Sequence, residues 1–116
     1  MDEPLIYHNP RCSKSRQTLE ILTEEGKQPE IIKYLETPPD ATQIKDILHM
    51  LKISPRELMR RGEKIYKELD LDNDQLGDDD LIKAMADNPI LIERPIVISN
   101  GKAIIGRPPE LVRDIL

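Results

Sequence analysis

A chain of 116 residues is the length of one ordinary domain, and folding removes roughly 65% of the extended chain's surface from water. Its apolar side chains are aliphatic, with three Tyr, no Phe and no Trp, while 34% of the residues are charged and the formal net charge is −5. That acidity excludes a general attraction to nucleic acid or anionic membrane, though it leaves room for a small basic pocket. No apolar run approaches the ~20 residues of a membrane span, and the N-terminus lacks the basic and apolar regions of a secretory leader. The expected compartment is the cytosol.

Leu5-Ile6-Tyr7 reads as a short strand. Ser13 to Glu25 reads as a helix that buries Leu19 and Leu22, with Gly26 placed to stop it. Glu30 to Leu35 is a second strand, and strand, helix, strand at this spacing predicts a right-handed unit with parallel strands. Thr37-Pro38-Pro39-Asp40 breaks the pattern. Asp40 with Gln43 then resembles a capping box, followed by Ile44, Ile47, Leu48 and Leu51 on one helical face. Ser54-Pro55-Arg56-Glu57 starts another helix, Glu63 to Leu69 forms a short one, and Asp78-Asp79-Asp80 gives an acidic first turn to a helix ending near Asn88-Pro89. Pro95 to Ser99 and Lys102 to Ile105 flank Asn100-Gly101, a strong hairpin signal, and Pro108-Pro109-Glu110 opens a closing helix. The order fits one α/β domain over 1–116, a small mixed sheet interrupted by a helical insertion at about 40–92.

Cys12 is the only cysteine, so no intramolecular disulfide can form and any redox chemistry needs a thiol from another molecule. It lies where the first strand gives way to the first helix, and unpaired backbone N–H groups there favour a thiolate. Arg11, Ser13, Lys14, Ser15 and Arg16 surround it with cationic and hydrogen-bonding groups, the setting of a nucleophile rather than of a buried structural thiol. His8, at the end of the first strand, is placed either to stabilise the thiolate as an imidazolium or to make one backbone hydrogen bond. Ser15 stands where a dithiol motif would carry its second cysteine; its hydroxyl can donate to the Cys12 sulfur but cannot resolve a disulfide, or it is simply a first-turn helix residue. Arg94 and Arg107 each precede a proline, which presents their guanidiniums from stiff backbone suited to a tetrahedral anion.

Other patterns fail. Asp70, Asp72 and Asp74 lack the glycine and the bidentate carboxylate of a calcium loop, because Gln75 and Leu81 stand in those places. A phosphatase cradle of the Cys-x5-Arg kind fails at Thr18. His8 and Cys12 supply only two zinc ligands, with His49 on a separate helix, so no metal is expected.

Taken together, Tyr7-His8-Asn9-Pro10, Cys12, Ser15-Arg16, Thr18-Leu19-Glu20, Tyr34-Leu35, Pro38-Pro39, Leu81-Ile82, Pro89 to Ile92, Arg94 to Val97 and Arg107-Pro108 resemble the glutaredoxin-coupled arsenate reductase (ArsC-type) family. The resemblance runs in order over essentially the whole chain. It implies a thioredoxin-like fold with a helical insertion, Cys12 as nucleophile, His8 and Ser15 tuning it, Arg60, Arg94 and Arg107 holding the oxyanion, and a cis peptide before Pro95. It further implies arsenate or a similar oxyanion as substrate, glutathione as co-substrate, glutaredoxin as recycling partner, and no bound cofactor. A monomer is expected. Arg11, Ser13 and Lys14 replace smaller or neutral residues found beside the cysteine in plasmid-type members, and the C-terminal extension of those members is lacking.

Two other readings belong beside this one. A glutathione-dependent thiol oxidoreductase acting on another substrate would use the same sulfur. A regulator that binds RNA polymerase, as Spx-type relatives do, typically carries a Cys-x-x-Cys switch, which Ser15 removes here.

Overall fold

In the computed structural model, which describes residues 3–116, Leu5–His8 forms strand β1 and Ser13–Glu24 forms helix α1. The helix ends where Gly26 takes a φ of 79°, a left-handed backbone that costs glycine little. Strand β2 covers Glu30–Lys33 and pairs in parallel with β1, Ile6 opposite Ile31. It is shorter than the expected Glu30 to Leu35, because the N–H groups of Glu36 and Thr37 both donate to the Lys33 carbonyl and curl the chain into a turn.

Strands β3 (Ile96–Ser99) and β4 (Lys102–Ile105) form the expected hairpin, in which Asn100 and Gly101 take φ values of 55° and 75°. Two consecutive positive φ angles belong to the turn whose twist matches that of paired strands. Strand β3 runs antiparallel to β1, which gives the sheet order β2-β1-β3-β4. This is the thioredoxin-like arrangement, a mixed sheet with β1 at its centre.

Ile6 and Val97 face each other across β1 and β3 and pack with Ile21, Leu22, Val112 and Ile115 in one hydrophobic cluster. Side chains as fully buried as Leu22 and Val97 each contribute about 1.5–3 kcal/mol. The buried stripe of α1 is Ser15, Thr18, Ile21 and Leu22, with Leu19 only partly covered at its margin. The closing segment is a 3-10 helix over Pro109–Ile115, starting one residue later than expected. Its three-residue turn puts Val112 and Ile115 on the same side, both into that cluster.

Those elements make one of two units, the residues up to Thr37 together with Arg94–Leu116; the other unit is Pro38–Glu93. The second unit holds α2 (Ala41–Leu51), α3 (Pro55–Leu58), α4 (Lys64–Glu68) and α5 (Asp78–Asp87). The anticipated capping box forms at Asp40 with Gln43, and Ser54 with Glu57 makes a second; each pair exchanges side-chain and backbone hydrogen bonds. Asp80 reaches back to the Gly77 N–H at 3.0 Å and so begins α5. Ile44, Ile47 and Leu48 of α2, Leu58, and Leu81, Ile82 and Met85 of α5 are buried, whereas Leu51 is only partly so. Among the described residues no helix is long and apolar enough to cross a membrane.

Candidate active site

Strand β1 hands the chain to a tight turn at Pro10-Arg11, and Cys12 follows as the N-cap of α1 with extended backbone angles. Asn9 builds this turn. Its carbonyl accepts from the Cys12 N–H at 3.0 Å, and its side-chain oxygen accepts from the Arg11 N–H at 3.0 Å. Arg16, one turn into the helix, donates to the Pro10 carbonyl at 2.9 Å. The loop that carries the sulfur is therefore tied at both ends.

Cys12 is free and partly exposed. Burial alone pushes its thiol upward, but the nearby Ser15 N–H, Arg94 guanidinium and Lys14 N–H each lower it, and together they hold it below the ordinary thiol range. The first turn of α1 contains no acidic residue to oppose the thiolate. Arg107 completes the cluster, its Nη2 standing 3.7 Å from the sulfur. The two arginines are also tied to each other, because Arg107 Nε donates to the Arg94 carbonyl at 2.9 Å.

Hairpin register explains their meeting. Ile96 pairs with Ile105, so the residues just before β3 and just after β4 lie side by side, and the Gly106 N–H donates to the Pro95 carbonyl at 2.9 Å. A Cβ on Gly106 would lie 2.6 Å from Thr18 Oγ1 and 3.0 Å from Pro95 Cγ, so only glycine lets this strap approach α1. The Arg94–Pro95 bond is cis, as the resemblance implied, and so is Arg107–Pro108.

The sequence expectations for His8 and Ser15 change in detail. Ser15 reaches the sulfur through its backbone N–H, while its buried hydroxyl turns to His8 Nδ1 at 2.6 Å and accepts from the Asn9 N–H at 3.0 Å. With that acceptor position filled, the hydroxyl hydrogen is available for Nδ1 of a neutral imidazole. Burial, with the positive charges of Lys33 and Arg16, lowers the His8 pKa, which runs against an imidazolium partner for the thiolate. The partner His8 does meet is the Ser15 hydroxyl, which also accepts from the Asn9 N–H of the turn before Cys12.

Arg60 belongs to the helical unit. Its Nε meets Glu63 at 3.0 Å and its Nη1 meets Glu93 at 2.7 Å, so its charge is already answered by two carboxylates. Cys12, Ser15, Arg94 and Arg107 are thus gathered in one unit with His8 behind Ser15, while Arg60 belongs to the other and pairs there with Glu63 and Glu93. Asn9 and Gly106 hold structural roles not anticipated from the sequence. An asparagine before a proline is a turn signal and could have marked the first; the second depends on a contact 88 positions away, with Thr18.

No group of three or more His, Cys, Asp or Glu able to hold a metal occurs among the described residues. The arrangement offers one activated sulfur beside two guanidiniums, suited to attack on a tetrahedral anion whose negative charge the arginines offset.

Comparison with known proteins shows the family of the chain. The ArsC family model matches residues 7–115. The chain is 59% identical over 112 residues to the uncharacterized protein YfgD of Escherichia coli K12, covering 96% of this chain and 94% of that one. It is 52% identical over 117 residues to an arsenate reductase of Neisseria meningitidis, with 100% of both chains covered. The solved arsenate reductase of Vibrio cholerae superposes with a TM-score of 0.96 at 53% identity over 97% of each chain.

Proposed function

The chain belongs to the ArsC family, and on that premise we propose that it is an arsenate reductase that uses Cys12 as nucleophile and draws its electrons from glutathione and glutaredoxin. The observation that carries this reading is the free, partly exposed Cys12 sulfur at the N-terminus of α1, 3.7 Å from Arg107 and with its pKa lowered by its surroundings. Relatives named arsenate reductase, about half identical over the full chain, support the same reaction.

Arg94 and Arg107 bind and orient the arsenate dianion, each aligned charge-assisted contact worth on the order of 1.5–3 kcal/mol. The Cys12 thiolate displaces an oxygen ligand, which leaves as hydroxide or water, and forms a sulfur–arsenic(V) bond. Taking arsenic(V) to arsenic(III) requires two electrons, which come from two sulfurs, those of Cys12 and glutathione. These end as a mixed disulfide while arsenite leaves. Since Cys12 has no second thiol in its own chain, glutaredoxin returns it to the thiol.

Steady-state arsenate reduction, with glutathione and glutaredoxin omitted in turn, tests the proposal. Turnover should require both, and Cys12→Ser should abolish it. Arsenate reduction at the wild-type rate by the Cys12→Ser protein would refute the mechanism.

A further inference from the structure

The sheet order gives the sulfur two distinct flanks. Cys12 follows central strand β1, and the arginines reach it from β3 and β4 on one side. On the other side, at the carboxyl ends of β1 and β2, a cleft of about 360 Å³ opens between the Pro10-Arg11 turn and the turn that follows Lys33. That volume lies within the roughly 300–1,000 Å³ typical of small-molecule sites.

Its wall carries a particular set of charges. Arg11 and Lys33 supply two cations, Glu36 supplies one carboxylate, and no ion pair engages any of the three among the described residues. Pro10 and Leu35, the latter 41% exposed, add apolar surface between them. Two cations and one anion complement a tripeptide with two carboxylates and one ammonium. Arg11 is joined directly to Cys12, so one wall of the cleft is continuous with the residue that carries the sulfur.

We infer that this cleft is the subsite for glutathione, with Arg11 and Lys33 holding its carboxylates and Glu36 its ammonium. The inference rests on the glutathione dependence proposed above and adds where that thiol binds. It also implies that oxyanion and thiol approach Cys12 from opposite flanks and need not displace one another. Lys33 and Arg11 act here on the thiol, not on the oxyanion.

Two measurements decide it. S-methylglutathione, which cannot react, is titrated into the isotope-labelled Cys12→Ser protein; saturable amide shifts at Arg11, Lys33, Leu35 and Glu36 are expected, and shifts confined to residues 94–97, or none at millimolar ligand, would overturn the cleft assignment whatever the protein's activity. In the coupled assay, Lys33→Glu and Arg11→Glu should raise the KM for glutathione on the order of tenfold while the KM for arsenate moves less than about twofold. Wild-type turnover that needs glutathione, combined with an unchanged glutathione KM in both variants, removes this subsite and leaves the parent reading standing. Turnover indifferent to glutathione removes the parent reading, while the titration still decides the cleft.

Discussion

Arg107 stands 3.7 Å from the sulfur of Cys12, a residue 95 positions earlier in the chain. Against the burial that would otherwise raise the thiol, the Ser15 N–H, the Arg94 guanidinium and the Lys14 N–H lower it. Because an acid whose pKa is lowered keeps its anion as pH falls, Cys12 should react with iodoacetamide at pH values below the ordinary thiol range. Arg107→Ala and Arg94→Ala should each shift the alkylation profile toward higher pH and slow the reaction severalfold at mildly acidic pH. Profiles that coincide with that of the wild type would show that neither guanidinium sustains the thiolate.

The Ser15 hydroxyl serves two buried partners, His8 Nδ1 and the Asn9 N–H. Ser15→Ala removes both bonds at once and should cost about 2–4 kcal/mol, read as a lower urea midpoint, since each buried polar group left unpaired costs about 1–3 kcal/mol. A loss much smaller than that would mean that water replaces the hydroxyl.

Burial and the nearby charges of Lys33 and Arg16 depress the His8 pKa, so the unfolded chain takes up this proton before the folded one does. The stability tied to neutral His8 is therefore complete above the ordinary histidine value and is lost as pH falls through the lower folded value. The imidazole should remain neutral by NMR at slightly acidic pH. The extra acid sensitivity of unfolding should disappear in His8→Gln; a His8 that titrates at or above the ordinary value contradicts this account.

Gly106 admits no side chain without moving Thr18 or Pro95. Gly106→Ala should destabilise the protein by about 1–3 kcal/mol through overpacking and, by displacing the adjacent Arg107, slow Cys12 alkylation. Removing the crowding with Thr18→Ala in the same chain should restore part of the loss, a non-additivity that a double-mutant cycle measures. Strict additivity would place the fault elsewhere.

Arg60 tests a role drawn from resemblance against one drawn from geometry. Because Glu63 and Glu93 hold its guanidinium in a partly buried setting, Arg60→Ala should lower stability by about 1–2 kcal/mol and leave two carboxylates less well answered. A large rise in the arsenate KM without loss of stability would instead return Arg60 to the oxyanion.

Local signals carried much of the fold. The apolar run before Cys12, the caps at Asp40 and Ser54, the stop at Gly26 and the Asn100-Gly101 turn are decided by atoms within a few residues of one another, so their outcome can be read in chain order. The same locality placed the single thiol at a helix N-terminus and left it without a resolving partner.

Seventeen Lys and Arg look alike in the sequence, and only strand register and packing brought Arg94 and Arg107 to the sulfur while Glu63 and Glu93 engaged Arg60. Tertiary packing likewise turned the Ser15 hydroxyl toward His8 and left the sulfur to backbone N–H groups. The physical reason is range: caps and turns close over a few bonds, whereas the electrostatics of Cys12 depend on which distant charges the sheet brings within a few ångströms.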